Sequence, residues 1–336
     1  MSVRFAPGRI ARITAPCFGV RQTVAALLLV LMLCPAVAAE TALGWIDAIH
    51  GPQAAFTLSR GQDRVPLALF MPLFPGDMIE VHDPEASLVL GLGQDRLVEV
   101  TAQESPYGLA MVGQEPTLAG NLLDWAGSSF AALEQEEQAS SMVSASSRAY
   151  GENVNLCPDL DRVDQLSAPL LEAQPLYLGA GERPLHLAWK GGYGPYAVTL
   201  VRNADSVTLL AAADLRSTSF SAEPLALEPG AYTLSIEDIG GLRVEALVSV
   251  VEPGALPLPL GPEAEELAVL PERVSGMIVA AHLAALASQG YGLEAFQRVA
   301  PLAEDEYQPA QVLARALACG STSRTLAPLP PPRPVE

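Results

Sequence analysis

Histidines and cysteines are the side chains of this chain that titrate nearest neutral pH and ligate metals most readily. The histidines are His50, His82, His186 and His282. None stands in an H-E-x-x-H pattern, none is paired at i, i+4, and none lies near a cysteine in sequence, so no metal site is expected. His82 and Asp83 are adjacent, but they precede Pro84 and read as a solvated turn. His186 falls in a strand-like run and His282 in a helical one, where a histidine usually packs. The sequence has no G-x-S-x-G elbow, S-x-x-K pair, Walker loop or G-x-G-x-x-G. Gly91-Leu92-Gly93 reads as a strand-ending turn. The acidic groups Glu134, Glu136, Glu137 and Glu263, Glu265, Glu266 lack the spacing of a calcium loop. The expectation is a chain without cofactor and without catalysis. Paired carboxylates that meet only in space leave one alternative, a glycan-acting hydrolase with its site between two β-domains.

A binding surface is the more concrete candidate. Trp189, Lys190, Tyr193 and Tyr196 lie in or beside the glycine-rich stretch Lys190–Tyr196 (KGGYGPY), and Trp45 is another aromatic near a strand start. Tyrosine offers large contact area at little entropic cost, and glycine lets a loop adapt to a partner. The competing reading is turn glycines flanked by tyrosines that face a core.

The cysteines follow from the N-terminus. Arg4, Arg9, Arg12 and Arg21 precede any acid, Val24 to Leu33 is an uninterrupted apolar run, and Ala36, Ala38 and Ala39 are small. These are the three parts of a secretory signal, so residues 1–39 are expected to be removed near Ala39. The run is shorter than the roughly 20 residues of a spanning helix, so no stable membrane span is expected after cleavage. An uncleaved, anchored form is the alternative. Cys17 and Cys34 leave with the leader, and Cys157 and Cys319 remain in an oxidising compartment, expected as a disulfide. Closing about 160 residues stabilises by on the order of 4–5 kcal/mol in the chain-entropy view.

Charge narrows the partners. The chain carries 38 acids against 19 bases, a net charge of −19, and loss of four leader arginines takes it to about −23. Such a surface is repelled by nucleic acid and by anionic lipid. The expected partner is an envelope protein or glycan, and the expected location is the periplasm.

The elements that position these residues are mainly β. Residues 40–105 read as short strands divided by Gly, Pro and Asp turns. The order G-W-I-D-A-I-H-G from Gly44, a strand ending Ser59-Arg60-Gly61, P-L-F-P-G-D-M-I-E-V from Pro72 and A-S-L-V-L-G-L-G-Q-D from Ala86 resembles the FecR-like periplasmic β-domain. Its centre is Pro75-Gly76-Asp77, where Gly76 can take positive φ and Asp77 can hydrogen-bond backbone to hold the turn. Two positions depart from the family pattern, Val81 and Gln94-Asp95. The resemblance implies an envelope signalling module. Only about 23 residues precede the apolar run, so the anti-sigma role of that family is not expected.

Residues 106–182 read as a connector. It contains an apolar patch at 118–125, a short helix around 130–138, a polar linker at 140–147 and Cys157. Residues 183–252 read as strands between tight turns, an immunoglobulin-like sandwich. There L-x-P-G-x-Y-x-L-x-I from Leu227 resembles the hairpin whose tyrosine hydroxyl caps a corner. Residues 253–271 read as a Pro-rich hinge. Residues 272–320 read as three short helices forming a cap, with Pro309 in the first turn of the third. Residues 321–336 read as a disordered Pro-rich tail. The expected whole is a non-catalytic binding, signalling or scaffolding module.

Overall fold

A computed structural model describes residues 42–93, 96–110, 120–143, 157, 165–259 and 262–329. The expected leader, with the expected cleavage near Ala39, Cys17 and Cys34, therefore lies outside the described residues, as do Gln94-Asp95, most of the stretch 144–164 and the residues from 330 onward. Residues Thr41–Glu336 cluster as one compact unit. Its described part consists mainly of antiparallel β-sheets, with helices concentrated toward the C-terminus.

The first strands are β1 (Gly44–His50), β2 (Phe56–Arg60), β3 (Asp63–Val65), β4 (Pro72–Leu73), β5 (Met78–Val81), β6 (Ser87–Gly91), β7 (Leu97–Thr101) and β8 (Tyr107–Gly108). They form two antiparallel four-stranded sheets, ordered β4-β1-β6-β7 and β3-β2-β5-β8. Period-two alternation sends Phe56, Leu58, Ile79, Val81, Leu88 and Leu90 into a small core of their own. Gly76 has φ of +88°. The Asp77 carboxylate, 1% exposed, accepts the Phe74 N–H at 2.9 Å and both Arg60 guanidinium donors at 2.9 Å. Two stretches singled out in the sequence, Ser59-Arg60-Gly61 and Pro75-Gly76-Asp77, are thus tied by one partly buried ion pair. The guanidinium also lies over the Phe74 ring, 4.5 Å from its centroid.

The region between the β units holds a 24-residue helix, α1 (Gly120–Val143), where the sequence suggested a short one. The apolar patch at 118–125 and the stretch at 130–138 share a single stripe. Leu122, Leu123, Ala126, Phe130 and Leu133 recur at three- and four-residue steps and are all buried. Phe130 meets Phe70 edge-on, with ring centroids 5.0 Å apart.

Nine further strands follow: β9 (Leu176–Gly179), β10 (Gly181–Arg183), β11 (His186–Ala188), β12 (Tyr196–Arg202), β13 (Val207–Leu215), β14 (Ser219–Ser221), β15 (Leu225–Leu227), β16 (Gly230–Glu237) and β17 (Arg243–Val251). A five-stranded sheet, β13-β12-β16-β17-β9, is antiparallel except where β9 runs parallel to β17. The pairs β10–β15 and β11–β14 form two separate two-stranded sheets, and Leu185, Leu187 and Leu227 from this region share one core with Val198, Leu200, Tyr232 and Leu234 of the five-stranded sheet. Tyr232 is fully buried, and its hydroxyl donates to the Glu228 carbonyl at 2.8 Å, the corner bond that its sequence context suggested.

The C-terminal helices are α2 (Pro262–Ala268), α3 (Glu272–Ala285), α4 (Gly292–Glu304), α5 (Gln308–Cys319) and α6 (Thr322–Thr325). The first occupies the expected hinge, with Glu263 and Glu265 in its first turn, where acids suit the helix dipole. The segment after Gly320 is also a correction. Thr322 and Leu326 are buried, and Trp125 Nε1 donates to the Ala327 carbonyl at 3.1 Å, so this stretch packs on α1.

These helices hold the two β units. One continuous core runs from Trp45, Leu69 and Phe70 through α1 and α3–α5 into the five-stranded sheet. Two glutamines act as polar contacts on strand backbone. Gln308 takes the Ile49 N–H at 2.7 Å and returns its own amide to the Ile49 carbonyl at 3.0 Å. Gln297 does the same to His186, at 2.7 and 2.8 Å.

Candidate functional site

The loop between β11 and β12 meets the β16–β17 turn at one end of the five-stranded sheet. Asp238, 4% exposed, joins them. One carboxylate oxygen accepts the Tyr193 N–H at 2.9 Å and the other the Leu242 N–H at 2.8 Å. These donors favour the charged form, and that of Tyr193 contributes most to holding the carboxyl below its usual range. The Ile239 N–H donates to the Tyr193 carbonyl at 3.1 Å. Gly192, at φ of +70°, lies so close that a Cβ there would stand 3.1 Å from the carboxylate. Out of this clamped base project Tyr193, Ile239 and Leu242, exposed by 54%, 67% and 42%. The result is an apolar tip on two loops whose backbones are tied together by hydrogen bonds.

The structure divides the four residues expected to form the surface. Trp189 and Tyr196 are 2% and 6% exposed and meet edge-on at 5.3 Å. The Tyr196 hydroxyl donates to the Gly191 and Gly192 carbonyls at 3.0 and 3.3 Å. Burial, with the Asp238 charge second, raises its pKa. These two rings support the loop from the core and offer a partner nothing. Lys190 pairs its backbone with Ser167, and its ammonium donates to the Cys319 carbonyl at 3.3 Å, capping the end of α5. Tyr193 alone of the four faces solvent. Asp238, Ile239 and Leu242 were not singled out in the sequence. Their signal is an Asp opening a Gly240-Gly241 turn between two aliphatic residues, a pattern that elsewhere marks only a hairpin.

A second polar cluster lies between β11, β14 and α4. His186 Nδ1 is 2.8 Å from the Ser221 hydroxyl, which donates to Glu304 at 3.0 Å, while Glu304 stands 3.7 Å from the same ring nitrogen. The adjoining cavity, about 380 Å³, is lined by Phe220, Phe296 and Ala300 among others. A serine nucleophile needs its base and the orienting carboxylate on opposite ring nitrogens. Here both partners converge on Nδ1, and Nε2 is buried without a hydrogen-bond partner. Burial pushes the His186 pKa down, Glu304 pulls it up, and Arg183 pushes it down again.

His82 bonds to Thr57 at 2.9 Å, while Asp83 caps the Glu85 N–H, so the adjacent pair forms no dyad. His50 is exposed at the end of β1. His282 Nε2 lies 3.0 Å from the Pro257 carbonyl, and burial lowers its pKa. Among the described residues no three His, Cys, Asp or Glu side chains gather as metal ligands, and no helix is long and apolar enough to cross a membrane. Where the first β unit meets the helices, the Asp47 carboxylate is taken up by Trp45 Nε1 at 3.0 Å, the Tyr307 hydroxyl at 3.1 Å and Arg273 at 2.8 Å. Cys157 and Cys319 are joined in a disulfide, with Cα atoms 5.4 Å apart.

No family model matches the chain, and no curated protein does. Among solved structures, the crystal structure of the ZIG-8–RIG-5 IG1–IG1 heterodimer aligns at 18% identity over 33% of this chain and 96% of that one. The TM-score of 0.17 is too low for that likeness to bear on fold or function.

Proposed function

We propose that this chain is a non-catalytic, exported module of the cell envelope that binds a partner protein through the Tyr193–Ile239–Leu242 tip. The observation that carries the reading is the pairing of exposed apolar side chains with a backbone already fixed by Asp238. A preorganised loop loses little entropy on binding, and a tyrosine flanked by aliphatic side chains suits a protein surface. Two aliphatic residues favour a protein over a glycan, which needs polar groups around an aromatic platform. The disulfide suits an oxidising compartment such as the periplasm. The finer reading is a FecR-like first β unit, supported by the Arg60–Asp77 tie at the Pro-Gly-Asp turn, and an immunoglobulin-like second one, supported by the Tyr232 corner.

The test is capture from envelope extract by the immobilised protein and by Tyr193→Ala and Ile239→Asp. Both side chains are exposed, so both variants should keep the wild-type melting temperature. Loss of a specific captured protein at least tenfold in each supports the reading. Undiminished capture by both overturns it.

A further inference from the structure

The two edges of the five-stranded sheet are treated differently. At the β9 edge, the Tyr177 N–H donates to the Gly290 carbonyl at 3.0 Å and the Gly179 N–H to Glu294 at 3.0 Å. The Tyr177 and Tyr291 rings stack at 4.9 Å over the same edge. Its outward amides are therefore satisfied from the helical layer. At the other edge, β13 pairs with β12 on one side, and among the described residues no strand or helix pairs with its far side.

β13 lacks the lysine and proline that often protect a free edge. Its nine residues, VTLLAAADL, contain no Lys or Pro and a single charge, Asp214, in a chain of 38 acids. Leu210 and Ala212 pair with Leu200 and Val198, which are 1% and 0% exposed, yet they are themselves only half-buried. The inner apolar face continues past the last strand and stops in solvent. Register shifts against β12 flank the run 210–212, with Asp214 at φ of +58°, so the regular edge is short and bounded.

We infer that β13 pairs with β13 of a second copy of this chain, antiparallel about a two-fold axis at Ala211. In that register Leu210 faces Ala212, Leu209 faces Ala213 and Asp214 faces Thr208, so no like charges meet. Elsewhere on a molecule of net charge −19, copies repel; a nearly uncharged edge is where they can approach. Because the β9 edge is capped, pairing closes at two copies and does not continue into a fibre. This interface is separate from the Tyr193 tip, so either can fail without the other.

Sedimentation velocity on the purified protein between roughly 5 and 200 µM spans the range expected of a small interface. The expected result is a monomer–dimer equilibrium that tightens with added salt, as screening relieves the net repulsion. Ala211 is exposed, and Ala211→Lys and Ala211→Glu each set like charges across the axis. Each should weaken dimerisation at least tenfold, and mixing the two should restore it. Should the first pair fold poorly, Thr208→Asp, at an exposed site facing Asp214, sets like charges opposite each other twice and should weaken dimerisation, while Thr208→Lys sets opposite charges there and should tighten it. A monomer at every concentration overturns the inference, including a monomer that takes up an extended peptide on β13. So does a dimer indifferent to both charge signs.

Discussion

Glu294 is fully buried on α4, and every oxygen of its carboxylate is used. One takes the Gly179 N–H and Arg183 Nη1 at 3.0 and 2.9 Å, and the other takes Arg298 Nε at 2.9 Å. Removing it strands two guanidinium groups and an edge amide. Glu294→Ala should cost about 3–5 kcal/mol and Glu294→Gln about 2, read from urea unfolding; a loss under about 0.5 kcal/mol for both would contradict this account of the edge. His186 is buried and His282 half-buried, and both have pKa values lowered chiefly by desolvation. An unfolded histidine titrates near 6.5, so below that pH the unfolded chain binds protons that the folded chain refuses. Their contribution to stability is full above pH 6.5 and is lost as pH falls through the lower folded values. Around His186 the opposing charges are Glu304 and Arg183. Glu266, raised by burial and by Glu263, acts in the opposite sense, but in the carboxylate range. Melting temperature should therefore fall between pH 7.5 and 5.5, and more shallowly in the double variant His186→Asn, His282→Gln. An unchanged slope in that variant would assign the dependence elsewhere.

At the scale of elements, the helical layer holds strands by side-chain amides that copy a backbone partner. Gln297 bonds to the buried His186, and Gln308 bonds to the half-buried Ile49. Water can replace the second more readily than the first. Gln297→Ala should thus cost about 2–3 kcal/mol and Gln308→Ala about 1, measured by denaturant midpoints; the reverse order would mean that burial does not set the cost. The strands from Gly44 to Thr101 and the helices from Glu272 to Cys319 were legible because apolar spacing of two and of three to four residues is written in the sequence. These glutamines were not, since a polar residue in an amphipathic helix reads as surface until its strand partner is known. The same limit hid the tip. Tyr193 and Tyr196 look alike in KGGYGPY, and only the packed fold separates an exposed ring from one held against Trp189. The pairing of Cys157 with Cys319 was legible by elimination, because the expected compartment left two thiols.

For the whole molecule, one core links the first β unit, the helices and the second β unit, and the disulfide closes a span of 162 residues that holds the second β unit and α2–α5. Cys319→Ser should lower stability by up to about 4–5 kcal/mol while unfolding stays a single transition across far- and near-ultraviolet signals. Two separated transitions would show that the helical layer does not join the β units into one cooperative body. The central claim is that this body exists to present the Asp238-clamped tip to a protein. A photo-crosslinking side chain placed in cells at position 193 or 239 tests it most directly, with Leu247, 58% exposed on the sheet face, as the control position. The account predicts that both tip positions yield an adduct to the same protein and that position 247 does not. Adducts of equal yield from position 247, or none from either tip position, would contradict it.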